Sequence, residues 1–127
     1  MATLTEVMGE YLAQLRFEDL PKDVIERARL TLLDSIGCAL GAGRQRSIII
    51  LEDFILSREG YGKSIVFGSK NKTSLTGAIL LNASRADALE FSDVNKLAGG
   101  HPGCMVVPTA INTAEEYGAS GKDLLLA

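Results

Sequence analysis

Leu4, Met8, Leu12 and Leu15, with Val7 and Tyr11 beside them, recur at the helical period and leave Glu6, Glu10 and Gln14 opposite. This spacing predicts an amphipathic helix ending near Arg16, and the Thr3/Glu6 pair has the spacing of a capping box that satisfies free amides at its start. Asp19-Leu20-Pro21 restarts helix, because proline at a first helical position surrenders no needed hydrogen bond and Asp19 or a neighbour can cap. From Val24 to Leu40 the positions Ile25, Ala28, Leu32, Ile36 and Ala39 keep one apolar stripe. The second half of that helix is apolar nearly all round and carries Gly37 and Gly41 four residues apart, a spacing that lets another backbone approach closely and predicts a central place in a bundle.

Gly43 interrupts the pattern, and a third helix is expected from about Arg46 to Arg58 with Ile48, Leu51, Phe54 and Ile55 inward. Gly60 and Gly62 flank a turn; Ser64 to Phe67 is a short β-prone run closed by Gly68, and Lys70-Asn71-Lys72 reads as a polar turn. Thr73 or Ser74 caps a fourth helix ending near Phe91, with Leu75, Ile79, Ala83 and Ala86 as its buried face. After a loop from Ser92 to Gly103, Pro108 suits the first turn of a fifth helix with Ala110, Ile111 and Ala114 inward and Gly118 as its stop. Ser120 caps a last segment running to Ala127. The expected fold is mostly α: a bundle of about five to six helices with one short β-prone segment, residues 1–127 being the amino-terminal, incomplete part of a larger all-helical domain.

Composition narrows the function classes. The 127 residues are 46% hydrophobic and 23% charged, which fits a globular segment and not a disordered one. A net charge of −3 excludes a generally basic nucleic-acid footprint, and the absence of Trp leaves few platforms for stacking bases. No apolar stretch approaches the ~20 residues of a membrane helix, and the acidic start lacks the basic character of a signal or transit peptide, so a cytoplasmic location is expected. Cys38 and Cys104 lie far apart, outside any CxxC or metal-ligand spacing; Cys38 reads as a small buried hydrophobe. No GxGxxG, P-loop or metal motif is present.

The stretch from Glu90 to Gly103 is the most informative. Acidic side chains at a helix end are followed by a glycine-rich loop that carries the sole histidine, His101. An imidazole titrates near neutrality and can move a proton, while a nearby carboxylate such as Asp93 can orient it or share the transfer. Pro102 biases His101 towards extended backbone, and the run from Gly103 to Val107 leads into a helix start whose amides and macrodipole favour a substrate carboxylate. The plainer alternative is a surface loop with an incidental histidine, Glu90 and Asp93 solvated, and Lys96 and Arg85 as exposed charges. Ser92 has no visible base partner and is not a candidate nucleophile; Cys104, three residues after the histidine, has no paired base either.

These residues carry a resemblance to the MmgE/PrpD family, which includes 2-methylcitrate dehydratase, cis-aconitate decarboxylase and iminodisuccinate epimerase. The matching features are Leu-Pro-x-x-Val-x-x-x-Ala-x-x-x-x-Leu-Asp-x-x-Gly from Leu20 to Gly37, Ala-x-x-x-Asn from Ala78 to Asn82, Ala-Leu-x-Phe-x-Asp from Ala88 to Asp93, and His-Pro-Gly from His101 to Gly103. Pro108 and the close from Ala114 to Ala127 complete them. The resemblance implies a large helical domain built partly from this segment and a smaller α/β domain further along. It also implies chemistry on di- or tricarboxylates without cofactor or metal, as a homodimer when complete, with no nucleic acid or membrane partner. The family's aspartate and its His-Pro step fall on Asp93 and His101, the candidate catalytic pair; Asn95, Lys96, Gly103 and Cys104 are the candidate substrate contacts. The family's catalytic lysines would lie beyond Ala127.

This chain departs from the family's usual Asp-Phe-Asp-Asp-Thr-His, reading Glu90-Phe91-Ser92-Asp93-Val94-Asn95, and has Asp87 where a histidine is usual. Two functions are therefore expected to compete. One is the amino-terminal segment of a lyase resembling 2-methylcitrate dehydratase; the other is an inactive or truncated member serving only folding, dimerisation or binding.

Overall fold

The computed structural model describes residues 2–97 and 99–127. Its helices are α1 (Leu4–Gln14), α2 (Lys22–Gly41), α3 (Arg46–Glu59), α4 (Leu75–Asp87), α5 (Pro102–Tyr117) and α6 (Gly121–Leu126). Single 3₁₀ turns at Phe17–Asp19 and Ala42–Arg44 lead into α2 and α3. Between α3 and α4 a short hairpin pairs β1 (Ser64–Ile65) with β2 (Lys72–Thr73) antiparallel, Ser64 opposite Thr73 and Ile65 opposite Lys72. The all-helical class, with one small β element, is as the periodicity implies. Among the described residues no helix is long and apolar enough to cross a membrane.

Helix α4 is the hub, packed against α2, α3 and α5. One core cluster joins Ala42, Ile48, Ile55, Val66, Ala78 and Leu81; a second joins Ala39, Phe67, Ala86 and Cys104 beneath the loop that carries His101. Side chains on the stripe Ile25, Ala28, Leu32 and Ile36 are half-buried and Ala39 is fully buried, so α2 faces the bundle as its period requires. Helix α1 has its expected capping box, yet Leu4, Val7, Met8, Tyr11 and Leu12 are all exposed and no other described element packs against it.

Several local expectations are corrected. Asp19 does not cap α2; its carboxylate accepts the Arg16 amide at 3.1 Å and closes the preceding 3₁₀ turn. No backbone approaches Gly37, and at Gly41 the close neighbour is the Leu89 side chain. Phe54 is 54% exposed, turned outward with Arg58 lying over its ring, because the inward positions of α3 go to Ile48 and Ile55. Lys72 belongs to β2 and not to a turn. The turn that folds β2 back is made at Gly68, whose φ of +72° suits glycine. Helix α4 ends at Asp87, short of Phe91, and Glu90 follows in the left-handed region at φ 56°. Pro102 takes the first position of α5 and places Pro108 inside the helix, where it lacks the N–H that would bond the Cys104 carbonyl.

The largest correction concerns α4, whose fully buried face is polar as well as apolar: Gly77, Ala78, Leu81, Asn82, Arg85 and Ala86. Arg85, expected as an exposed charge, is 3% exposed. Its guanidinium donates to the Phe67 carbonyl at 2.8 Å and to Glu52 on α3 at 2.7 Å. Asn82 accepts the Phe67 amide at 2.8 Å and donates to the Ile65 carbonyl and to Asn112 on α5. Asn112 in turn donates to the Ile65 carbonyl. A two-residue strand leaves most of its neighbours' backbone groups unpaired by sheet, and a buried group without a partner costs about 1–3 kcal/mol. The two asparagines and the arginine supply those partners and tie β1, α4 and α5 together.

Candidate functional site

Helix α5 begins directly at the candidate site. His101 is its N-cap and Pro102 its first residue, but no His101 side-chain hydrogen bond caps the helix. The capping role passes to Asp93, ten residues back, whose Oδ1 accepts the Gly103 amide at 2.8 Å. A carboxylate is favoured there by the helix dipole and by the unpaired amides of the first turn. Gly103 has no room for a side chain: an added Cβ would lie 2.4 Å from Asp93 Oδ1. The Gly103 carbonyl accepts a hydrogen bond from Ser35 of α2 at 3.3 Å, which anchors the start of α5 to the bundle.

The candidate pair is brought together through backbone, not through the two side chains. His101 Nδ1 lies 2.8 Å from the main-chain carbonyl of Asp93, and a carbonyl can only accept, so Nδ1 carries the proton. Nε2 then holds the lone pair of the neutral ring. The Asp93 carboxylate turns instead to Gly103 and borders a different cleft, of about 470 Å³, together with Arg27, Thr31 and Asp34 of α2. The Gly103 amide, expected to meet a substrate carboxylate, is taken by this internal one.

His101 is half-buried and lines an open cleft of about 340 Å³ with Ala83, Ser84, Asp87, Cys104 and Met105. Two of its polar neighbours were missed by sequence reasoning as site residues. Ser92 Oγ lies 3.3 Å from His101 Nδ1 and 3.2 Å from Asp87 Oδ1. Asp87 sits at the last position of α4, five residues before Ser92, and the turn between them brings the carboxylate back to the hydroxyl. Its departure from the family pattern was the signal available in the sequence.

Cys104 is buried on the cleft floor and donates its thiol proton to the His101 carbonyl at 3.1 Å. Burial, and then the negative charge of Asp87, push its pKa up, so it is a thiol and not a nucleophilic thiolate near neutrality. Cys38 is likewise buried, with its pKa raised by burial and by Asp34. Asn95 and Lys96 are exposed on the loop. Asn95 pairs its backbone with Gly100, and its side-chain oxygen accepts the Leu97 amide at 3.0 Å, which shapes the glycine turn before His101. Neither Asn95 nor Lys96 borders the His101 cleft. Among the described residues no group of three or more His, Cys, Asp or Glu side chains is arranged to hold a metal ion.

Gly103→Ala should therefore act through Asp93. Forcing the carboxylate off the helix start is expected to lower stability by about 1–3 kcal/mol, seen as an earlier urea midpoint. An unchanged midpoint would show that the loop gives way freely.

The MmgE/PrpD N-terminal domain profile matches residues 6–127. Among curated proteins the chain is similar to cis-aconitate decarboxylase of Aspergillus terreus, 27% identical over 121 residues, covering 95% of this chain and 25% of that protein. It is also similar to the cis-aconitate decarboxylase-like protein oryM of Aspergillus oryzae, 27% identical, covering 98% of this chain and 27% of that protein. The chain thus spans about a quarter of the length of these relatives. No solved structure gives a significant match.

Proposed function

The chain belongs to the MmgE/PrpD family, and from that premise we propose that it is the amino-terminal portion of a cofactor-independent lyase that moves a proton on a di- or tricarboxylate. The observation that carries this reading is the His101 ring, set at the edge of a cleft with Nδ1 bonded to the Asp93 carbonyl and Nε2 left as the basic atom. Elimination next to a carboxylate needs a base for the proton on the adjacent carbon and an acid for the departing group. Neutral His101 supplies the first role through Nε2, and the imidazolium it becomes can supply the second. Decarboxylation, the reaction in the names of the fungal relatives, would start instead from a ring that solvent has already protonated at Nε2, which gives that proton to the carbanion left when carbon dioxide departs and returns to the neutral form. Among the described residues, the lining of this cleft includes no lysine or arginine to hold the substrate's carboxylates.

The test is to assay the full-length protein, in its expected homodimeric form, against a panel of di- and tricarboxylic acids including cis-aconitate and 2-methylcitrate. Turnover of one of them supports the proposal; a folded protein that turns over none overturns it. The position of Asp93 favours a second reading, a member that folds and binds without catalysis, because its carboxylate is engaged in capping α5. Asp93→Asn keeps an oxygen for the Gly103 amide but removes the charge. If Asp93 only caps, the Asn variant retains most of the activity while Asp93→Ala loses about 1 kcal/mol of stability. If its carboxylate takes part in the proton transfer, Asp93→Asn loses turnover with stability kept.

A further inference from the structure

We propose that Asp87 is a positioning residue: by holding the Ser92 hydroxyl proton, it keeps His101 in the tautomer whose Nε2 is basic. The inference rests on His101 being the proton-transfer group of the proposed lyase, and it adds two residues that the family pattern does not supply, since Asp87 and Ser92 are both departures from it.

The polarity of the contacts follows from donor and acceptor chemistry. The Asp93 carbonyl at 2.8 Å accepts from Nδ1, so Nδ1 has no lone pair to offer. Ser92 Oγ, 3.3 Å from the same nitrogen, can then face it only with its oxygen lone pairs. Its single proton goes to Asp87 Oδ1 at 3.2 Å. The arrangement runs from Nδ1–H to the Asp93 carbonyl and Ser92 oxygen, and from the Ser92 O–H to the Asp87 carboxylate. Without Asp87 the hydroxyl is free to turn its proton towards Nδ1 and compete with the Nδ1–H bond to the Asp93 carbonyl, which mixes in the tautomer protonated at Nε2. Such a ring carries its proton on Nε2, which is then no longer a base. When Nε2 takes up a proton, the Asp87 carboxylate stands beyond Ser92 to offset the imidazolium charge, a service a neutral residue there would not give.

The experiment is nitrogen-15 NMR of histidine-labelled full-length protein, with the His101→Gln spectrum identifying the His101 signals by difference, alongside steady-state kinetics. Wild type is expected to show Nδ1 protonated and Nε2 unprotonated in the neutral ring. Asp87→Ala should give averaged or exchanged nitrogen signals and a kcat about tenfold lower, with KM less affected. Asp87→Ala combined with Ser92→Ala should restore the Nδ1–H signature, because the competing donor is gone; a purely structural effect of losing Asp87 would not be repaired by a second truncation. Asp87→Asn, whose carbonyl oxygen can still accept from Ser92, should keep the wild-type tautomer. An Nε2–H ring in wild type overturns the proposal, as does an Asp87→Ala spectrum and kcat equal to wild type, or a double variant no closer to wild type than the single. Activity that survives His101→Gln while the tautomer shifts come out as stated would overturn the lyase role of His101 and leave the positioning by Asp87 standing.

Discussion

Replacing His101 by glutamine in the full-length protein is expected to lower kcat by about two orders of magnitude or more, with a much smaller change in KM. That loss corresponds to about 2.7 kcal/mol of transition-state stabilisation. Glutamine keeps a donor near the Asp93 carbonyl and a side chain of similar reach, so the substitution removes the titrating nitrogen while disturbing the loop little. His101 is half-buried above the cluster of Ala39, Phe67, Ala86 and Cys104, and its backbone leads into α5, so circular dichroism should show the helical content preserved. Full turnover in a folded His101→Gln protein would remove the imidazole from the reaction. A loss confined to KM would assign it to substrate binding instead.

Arg85→Ala is expected to produce the largest loss of stability, about 3–5 kcal/mol, read as a fall in the urea midpoint. The truncation strips the Phe67 carbonyl of its partner and leaves Glu52, whose side chain is 14% exposed, without its cation. Burial alone would raise the Glu52 pKa, but hydrogen bonds from Ser69, Asn71 and Arg85 together outweigh it and hold the pKa below the usual carboxylate range. A depressed folded-state value means that this contribution is fully present above the unfolded pKa and is lost as pH falls through the folded one. Wild type should therefore lose this increment as pH falls from the ordinary carboxylate range through the lower folded value, whereas Arg85→Ala, which has less of it to lose, should fall more gently, so that the two midpoints converge on acidification. Replacing Arg85 and Glu52 together by methionine and leucine should cost less than Arg85→Ala, because no buried charge is then orphaned. A single variant as stable as wild type would mean that solvent reaches Glu52 and takes over the pairing.

Much of the helical order was legible because it depends on local spacing. The Thr3/Glu6 capping box, the Ser120 cap, the α2 stripe and the Gly118 stop each involve residues within a few positions of one another, and each appears in the fold. Pro102 and Pro108 show the limit of this reading. Both satisfy the rule for a first-turn proline, and only the Asp93 carboxylate, supplied from across the loop, selects the earlier start. Arg85 and Phe54 failed for a related reason. Their side-chain types predict exposure and burial respectively, but α4 lies at the centre with the Phe67 carbonyl and Glu52 offering partners to a cation, while Phe54 stands on the more exposed side of α3.

What the linear order of residues determined by itself is the helical class, the family, and the stretch on which the proposed chemistry rests, since capping, periodicity and the His-Pro-Gly step are short-range properties. Which atoms meet within that stretch was decided by the tertiary structure. The turn after α4 returns Asp87 to Ser92, the tight start of α5 draws the Asp93 carboxylate to the Gly103 amide, and the Asp93 carbonyl is left to orient the imidazole. A backbone oxygen has no residue identity, so no pattern of side chains could announce that it, and not the carboxylate beside it, holds the ring.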